Sequence, residues 1–135
     1  MKVKSQEVGQ IRLAKPRFVK EYESAFDIAA ELLDSGHAAI PVVTREGRVI
    51  GMVNDQDLLR LLPGPRRLEE IKAKEIVSRV PAVIDEETSL AEASKIMENL
   101  QLQRLPVVRE GILIGTITRH DLLRARLGWG TGEWE

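Results

Sequence analysis

The sequence has no cysteine and few aromatics, with two Phe, one Tyr and two Trp among 135 residues. Without thiols there is no disulfide, no cysteine nucleophile and no zinc–cysteine centre, which fits a cytoplasmic protein. An excess of one charge is missing too. Twenty Lys and Arg face 21 Asp and Glu, for a net charge of −1. No global basic field is therefore available to hold nucleic acid or an anionic membrane. No apolar run approaches the roughly 18 residues of a membrane span, and Met1-Lys2-Val3-Lys4-Ser5 leads into no apolar stretch of a secretory signal. A Gly-Lys-Ser/Thr phosphate loop is also absent. With no catalytic constellation in view, the chain is not expected to be an enzyme, and no metal site is expected.

What remains is ordinary globular material, 43% apolar and 30% charged. Its organisation is a duplication. Displaced by 65, Pro16 falls on Pro81, Glu21 on Glu86, Ser24 on Ser89 and Pro41-Val42-Val43 on Pro106-Val107-Val108. One residue is dropped near Thr44-Arg45, where a hairpin turn can change length without moving its strands. Beyond it Gly51 meets Gly115, and Asp57-Leu58-Leu59-Arg60 meets Asp121-Leu122-Leu123-Arg124.

Each copy reads β-α-β-β-α, an α+β class. A short extended piece follows a proline, at Arg17-Phe18-Val19 and at Ala82-Val83-Ile84. A helix follows, opened by Ser24 with Asp27 or by Ser89 with Glu92 as a capping box. Ser35-Gly36 stops the first helix. Two β-branched strands flank Arg45-Glu46-Gly47 in copy one and Arg109-Glu110-Gly111 in copy two. Second helices are predicted over 56–62 and 120–127. The domain reading is repeat one over 8–62, a linker over 63–72, repeat two over 73–127 and a flexible tail over 128–135. A short helix over 68–76 is expected to lead into copy two, as the first ten residues lead into copy one. A single copy would be marginal alone, and two can share a buried face.

The junction between the last strand and helix of each copy carries the most chemical promise. Copy two has Gly115-Thr116-Ile117-Thr118-Arg119-His120-Asp121, and copy one has Gly51-Met52-Val53-Asn54-Asp55-Gln56-Asp57. A helix start offers free N–H groups to an anion. A carboxylate there can accept both hydroxyls of a ribose, and a Thr hydroxyl can bond a phosphate or ribose oxygen. The same spacings are also capping boxes that need no ligand, and the two roles are compatible. A lone His37 reads more readily as structural than as ligand-binding. His120 has no second metal-ligand type nearby. Arg66-Arg67 is too short a cluster for nucleic acid, and the glycines of the tail precede no helix.

The duplicated unit, with its apolar-Pro-Val-Val strand, turn and Gly-x-apolar-Thr-x-x-Asp-Leu-Leu junction, resembles the CBS domain, named from cystathionine β-synthase. Two in tandem resemble a Bateman module. The resemblance covers about residues 8 to 127 and implies two halves of pseudo-two-fold symmetry with two clefts between them. It implies binding of an adenosine-containing ligand: AMP, ADP, ATP, S-adenosylmethionine or an NAD-like molecule, with no cofactor required. By the family pattern, Asp121 holds a ribose diol, with Thr118 and the neighbouring Ile117 beside it. Arg104, just before Pro106, meets a phosphate. Lys15, Pro16 and Arg17 complete that site. Asp57 and Asn54 form the matching site with Val80, Pro81 and Ala82, and His37 lies beside its adenine region. Asn54 departs from the family's Thr or Ser, and Ala39 stands where copy two has Arg104, so copy two is the better site.

The expected function is therefore a non-catalytic regulatory module that senses the ligand and passes a conformational change to an unknown client. Homodimerisation through apolar helix faces around Leu58, Leu61, Leu122 and Leu123 is expected. The alternatives are an interaction module with empty clefts and a nucleic-acid-binding regulator.

Overall fold

The computed structural model describes residues 6–78 and 83–128, and within them both copies fold into the same run of elements. Copy one comprises β1 (Val19–Lys20), α1 (Ala25–Ser35), β2 (Ala39–Val43), β3 (Val49–Asn54) and α2 (Asp55–Leu59). The helix α3 (Ala73–Ile76) follows. Copy two comprises β4 (Ile84–Asp85), α4 (Leu90–Leu100), β5 (Arg104–Arg109), β6 (Ile112–Thr118) and α5 (Arg119–Arg126). The α+β class and the β-α-β-β-α order are as the pattern predicts.

Local chemistry explains most boundaries. The Ser24 hydroxyl accepts from the Asp27 N–H, the Asp27 carboxylate accepts from the Ser24 N–H, and Gly36 closes α1 at φ 71°. In copy two Ser89 caps α4 by accepting from the Glu92 N–H. Each cap stabilises its helix by about 1 kcal/mol. The opening strands begin two residues later than the pattern suggests, at Val19 and Ile84.

Each copy makes its own three-stranded sheet, β1-β2-β3 and β4-β5-β6. The first pair is parallel and the second antiparallel in both. Pro41 and Pro106 lie inside the middle strand. They are tolerated because pairing with the parallel neighbour begins one residue later, at Val42 and Val107. Both sheets also share a bulge that the sequence pattern does not reveal. The register skips Ile50 in β3 and Ile114 in β6, just before the motif glycine.

The described residues form two compact units, one of residues 6–16 with 83–128 and the other of residues 17–78. Leading segments are thus exchanged between the copies. The Val8 N–H donates to the Thr88 carbonyl, and Gly9 to Glu86. At positions displaced by 65, Ala73 donates to Glu23 and Lys74 to Glu21. The stretch 68–76, expected to lead into copy two, instead completes the core of copy one, where Ile71 and Ala73 are buried with Ile28, Ile40 and Val53. Val8 and Ile11 are buried with Met97, Leu105 and Ile117 of copy two. Burial of these apolar leaders explains the exchange, since neither core is complete without its leader.

Both cores are aliphatic. Phe18, Tyr22 and Phe26, the aromatics among the described residues, are all exposed. The leucines expected on a dimer face need correction as well. Leu58 is buried, and Leu61 and Leu122 pack against the cores. Leu59, Leu62, Leu123 and Leu127 are the exposed ones. Each cap fixes its helix phase so that the leucine after the Asp turns inward.

Candidate nucleotide-binding junctions

The motif glycines have a structural reason. A second antiparallel bridge joins the outer side of each motif strand to a leader, Ala14 with Thr116 and Ser78 with Met52. Ala14 and Thr116 exchange two backbone hydrogen bonds of 3.1 Å. A Cβ at Gly115 would stand 2.7 Å from Leu13 Cβ, and one at Gly51 would run into the Ser78 carbonyl and the Val77 side chain. Only glycine lets the leader lie this close.

Past each glycine, the strand turns into its helix through a reciprocal cap. In copy two the Thr118 hydroxyl accepts from the Asp121 N–H at 3.1 Å, while Asp121 Oδ2 accepts from the Thr118 N–H at 2.8 Å. In copy one Asn54 Oδ1 accepts from the Asp57 N–H at 2.8 Å, and Asp57 Oδ2 accepts from the Asn54 N–H at 2.9 Å. The capping role is therefore real in both copies. It leaves Oδ1 of each aspartate outside the cap, on a side chain only 15% exposed for Asp121 and 12% for Asp57.

Arg104 sits directly across from Thr118 in the β5–β6 register. It is half-buried, and its guanidinium has no ion pair among the described residues. Ala39 holds the same place opposite Asn54. Lys15, exposed, and Pro16, half-buried, follow directly from the Ala14 bridge. The Ile117 side chain is fully buried in the core of its unit and so does not line a site itself.

Other candidates are engaged elsewhere. The Arg17 guanidinium is held by Asp34 at 2.6 Å and by Glu31 at 3.3 Å. The hydrogen bond to Asp34, then that to Glu31, pushes its pKa above the ordinary arginine value. The His37 backbone N–H donates to the Ser35 hydroxyl just beyond the α1 stop. Val80, Pro81 and Ala82 lie outside the described residues, as does most of the expected tail.

Three further residues stand at these carboxylates. Arg124 Nη2 donates to Asp121 Oδ1 at 2.8 Å, and Arg60 Nη1 stands 3.5 Å from Asp57 Oδ1. The signal for both lay in the repeated Asp-Leu-Leu-Arg. The Ser78 hydroxyl reaches Asp57 Oδ2 at 3.5 Å, and nothing in the motif spacing announces it.

Residues 8–64 and 73–128 each match the CBS domain family. The chain belongs to the CBS domain family. Its two CBS domains stand in tandem, as in CBS-pair proteins of known structure. It is similar to CBSX2, solved in complex with AMP, at 27% identity and a TM-score of 0.75, over 91% of this chain and 97% of that one. A CBS domain-containing protein of Dictyostelium discoideum is 30% identical over 82% of this chain and 85% of its own length. A Methanocaldococcus jannaschii protein is 31% identical over 82% of this chain, which spans only 26% of that relative. The chain likewise spans 14% of an A-adding tRNA nucleotidyltransferase from Aquifex aeolicus. Among the described residues of this CBS pair, no helix is long and apolar enough to cross a membrane.

Proposed function

We propose that this CBS pair is a cytoplasmic, ligand-sensing regulatory module that binds an adenosine phosphate at the Thr118–Asp121 junction without chemically altering it. The observation that carries this reading is Arg104, a half-buried cation with no ion-pair partner among the described residues, in register with Thr118. A guanidinium so placed suits a phosphate oxygen, while Asp121 Oδ1 suits a ribose hydroxyl. Arg104 in register with Thr118 and Arg124 on Asp121 favour AMP, ADP or ATP over the cationic S-adenosylmethionine. The AMP held by the related CBSX2 supports the same class of ligand.

Binding would shift the balance of conformations that a client protein reads. Leu59, Leu62, Leu123 and Leu127, exposed on or just beyond the closing helices, support a homodimer. Light scattering tests this, and a monomeric mass at high concentration overturns it.

A thermal-shift panel of AMP, ADP, ATP, S-adenosylmethionine and NAD tests the ligand class. At about 100 times its dissociation constant a true ligand adds about 2.7 kcal/mol of stability, a rise of several degrees. Silence from all five supports instead an interaction module that holds no such ligand. Salt-sensitive binding of RNA would point to a nucleic-acid regulator.

A further inference from the structure

Asp121 is more tightly occupied than a bare ribose acceptor. Its Oδ2 takes the Thr118 N–H at 2.8 Å, and its Oδ1 takes Arg124 Nη2 at 2.8 Å. A vicinal diol must therefore share or take the oxygen that Arg124 covers. The carboxylate is sheltered, at 15% exposure, while the arginine is 51% exposed and bonds no other described side chain. Such a half-solvated pair is weak and easily exchanged. The carboxylate is fixed by the cap, so the arginine is the member that moves.

We propose that Arg124 is a specificity-determining residue of this junction. In the free protein it orients and covers Asp121 Oδ1. When the diol takes that oxygen, the freed guanidinium turns to the anionic group of the same ligand. The junction then accepts a nucleotide and discriminates against its nucleoside, which displaces Arg124 and offers it nothing in return. This rests on the adenosine-phosphate reading above and adds to it the residue that reads the phosphate together with Arg104. Copy one shows the contrast. There the corresponding Arg60 stands 3.5 Å from Asp57, and the Ser78 hydroxyl lies at the other carboxylate oxygen.

Calorimetric titration of the full chain with AMP and with adenosine tests this, using the unaltered protein, Arg124→Gln, Arg124→Lys and Asp121→Asn. Arg124→Gln should weaken AMP by about tenfold or more, by loss of a charge-assisted bond, while adenosine binds unchanged or more tightly. Arg124→Lys should fall between, keeping the charge without the fork. A merely structural Arg124 would change both ligands by the same factor, and that result, or no change in either, overturns the proposal. If Asp121→Asn leaves AMP binding intact, or the unaltered protein binds no AMP, the junction itself is misassigned and the role of Arg124 falls with it. Melting curves of Arg124→Gln should match the unaltered protein, since the side chain is half exposed.

Discussion

The two junctions of this CBS pair share a backbone and differ in charge. Both have a glycine under a leader, a bulge before it and a reciprocal cap after it. Copy two has Arg104 in register with Thr118, Arg119 bonded through Nε to the Leu102 carbonyl, and Arg124 on the Asp121 carboxylate. At the matching places copy one has Ala39, Asp55 and Arg60. The glycine and the capping aspartate recur in both copies, while two of the three arginines are replaced in copy one. Another pair makes the same point away from the junctions. Arg109 is locked to Glu86 by two bonds of 2.9 and 2.8 Å, whereas Arg45 lies 5.0 Å from the centre of the Tyr22 ring. An arginine beside the hairpin turn serves as an ion pair in one copy and as an aromatic contact in the other.

The largest effect should come from breaking what the copies share. Gly51→Ala forces a methyl into the Ser78 backbone, and we expect a loss of about 3 kcal/mol and on the order of 10 °C in Tm. Gly115→Ala should cost less, because its closest approach, 2.7 Å to Leu13 Cβ, is milder than the collision with the Ser78 carbonyl and the Val77 side chain at Gly51, although the leader must still move. Differential scanning calorimetry compares the two, and equal or reversed losses would contradict the leader contacts described.

Next come changes to what the copies do not share. Arg104→Ala should weaken AMP by about tenfold, the worth of a charge-assisted bond, with little change in Tm. Conversely, Ala39→Arg combined with Asn54→Thr gives copy one the cation and hydroxyl of copy two. Isothermal titration should then detect a second AMP per chain, and an unchanged stoichiometry would show that charge is not what separates the junctions.

The smallest effect concerns Glu86. Its hydrogen bonds and charge contact with Arg109 hold its carboxyl below the usual glutamate range. The folded state therefore keeps this group ionised to lower pH than the unfolded chain does. Its stabilisation is complete above the ordinary glutamate pKa of about 4.3 and is lost as pH falls through the depressed native value. Glu86→Gln should give a slightly flatter fall in stability below about pH 4.5 in denaturant titrations. No change in slope would mean that solvent screens the pair completely. Copy one, with Tyr22 under its arginine, has no equivalent in this pairing.

Residues that act through near neighbours were legible in the sequence. Ser24, Ser89 and Gly36 announced the helix ends, and Thr118 and Asp121 announced the cap and candidate site together. The exchange of leaders was not legible, because a self-match is linear and Val8 looks the same whichever core buries it. The bulges at Ile50 and Ile114 were hidden for a related reason. Both are apolar residues in apolar strands, and only the register with Val43 or Val108 exposes the skip. Leu58 and Leu122 read as surface in the sequence pattern because the helix phase depends on where the cap falls. Arg124 stood in a visible repeat, but its partner could be fixed only once Asp121 had a rotamer.

The most direct test of the central claim is a calorimetric AMP titration of Asp121→Asn beside Asp57→Asn. Each change keeps side-chain size and most of its cap, so both proteins should remain folded. We predict one AMP per chain for the unaltered protein, the same for Asp57→Asn, and no measurable binding for Asp121→Asn. Binding lost in Asp57→Asn and kept in Asp121→Asn would contradict the assignment of the phosphate-reading junction to copy two.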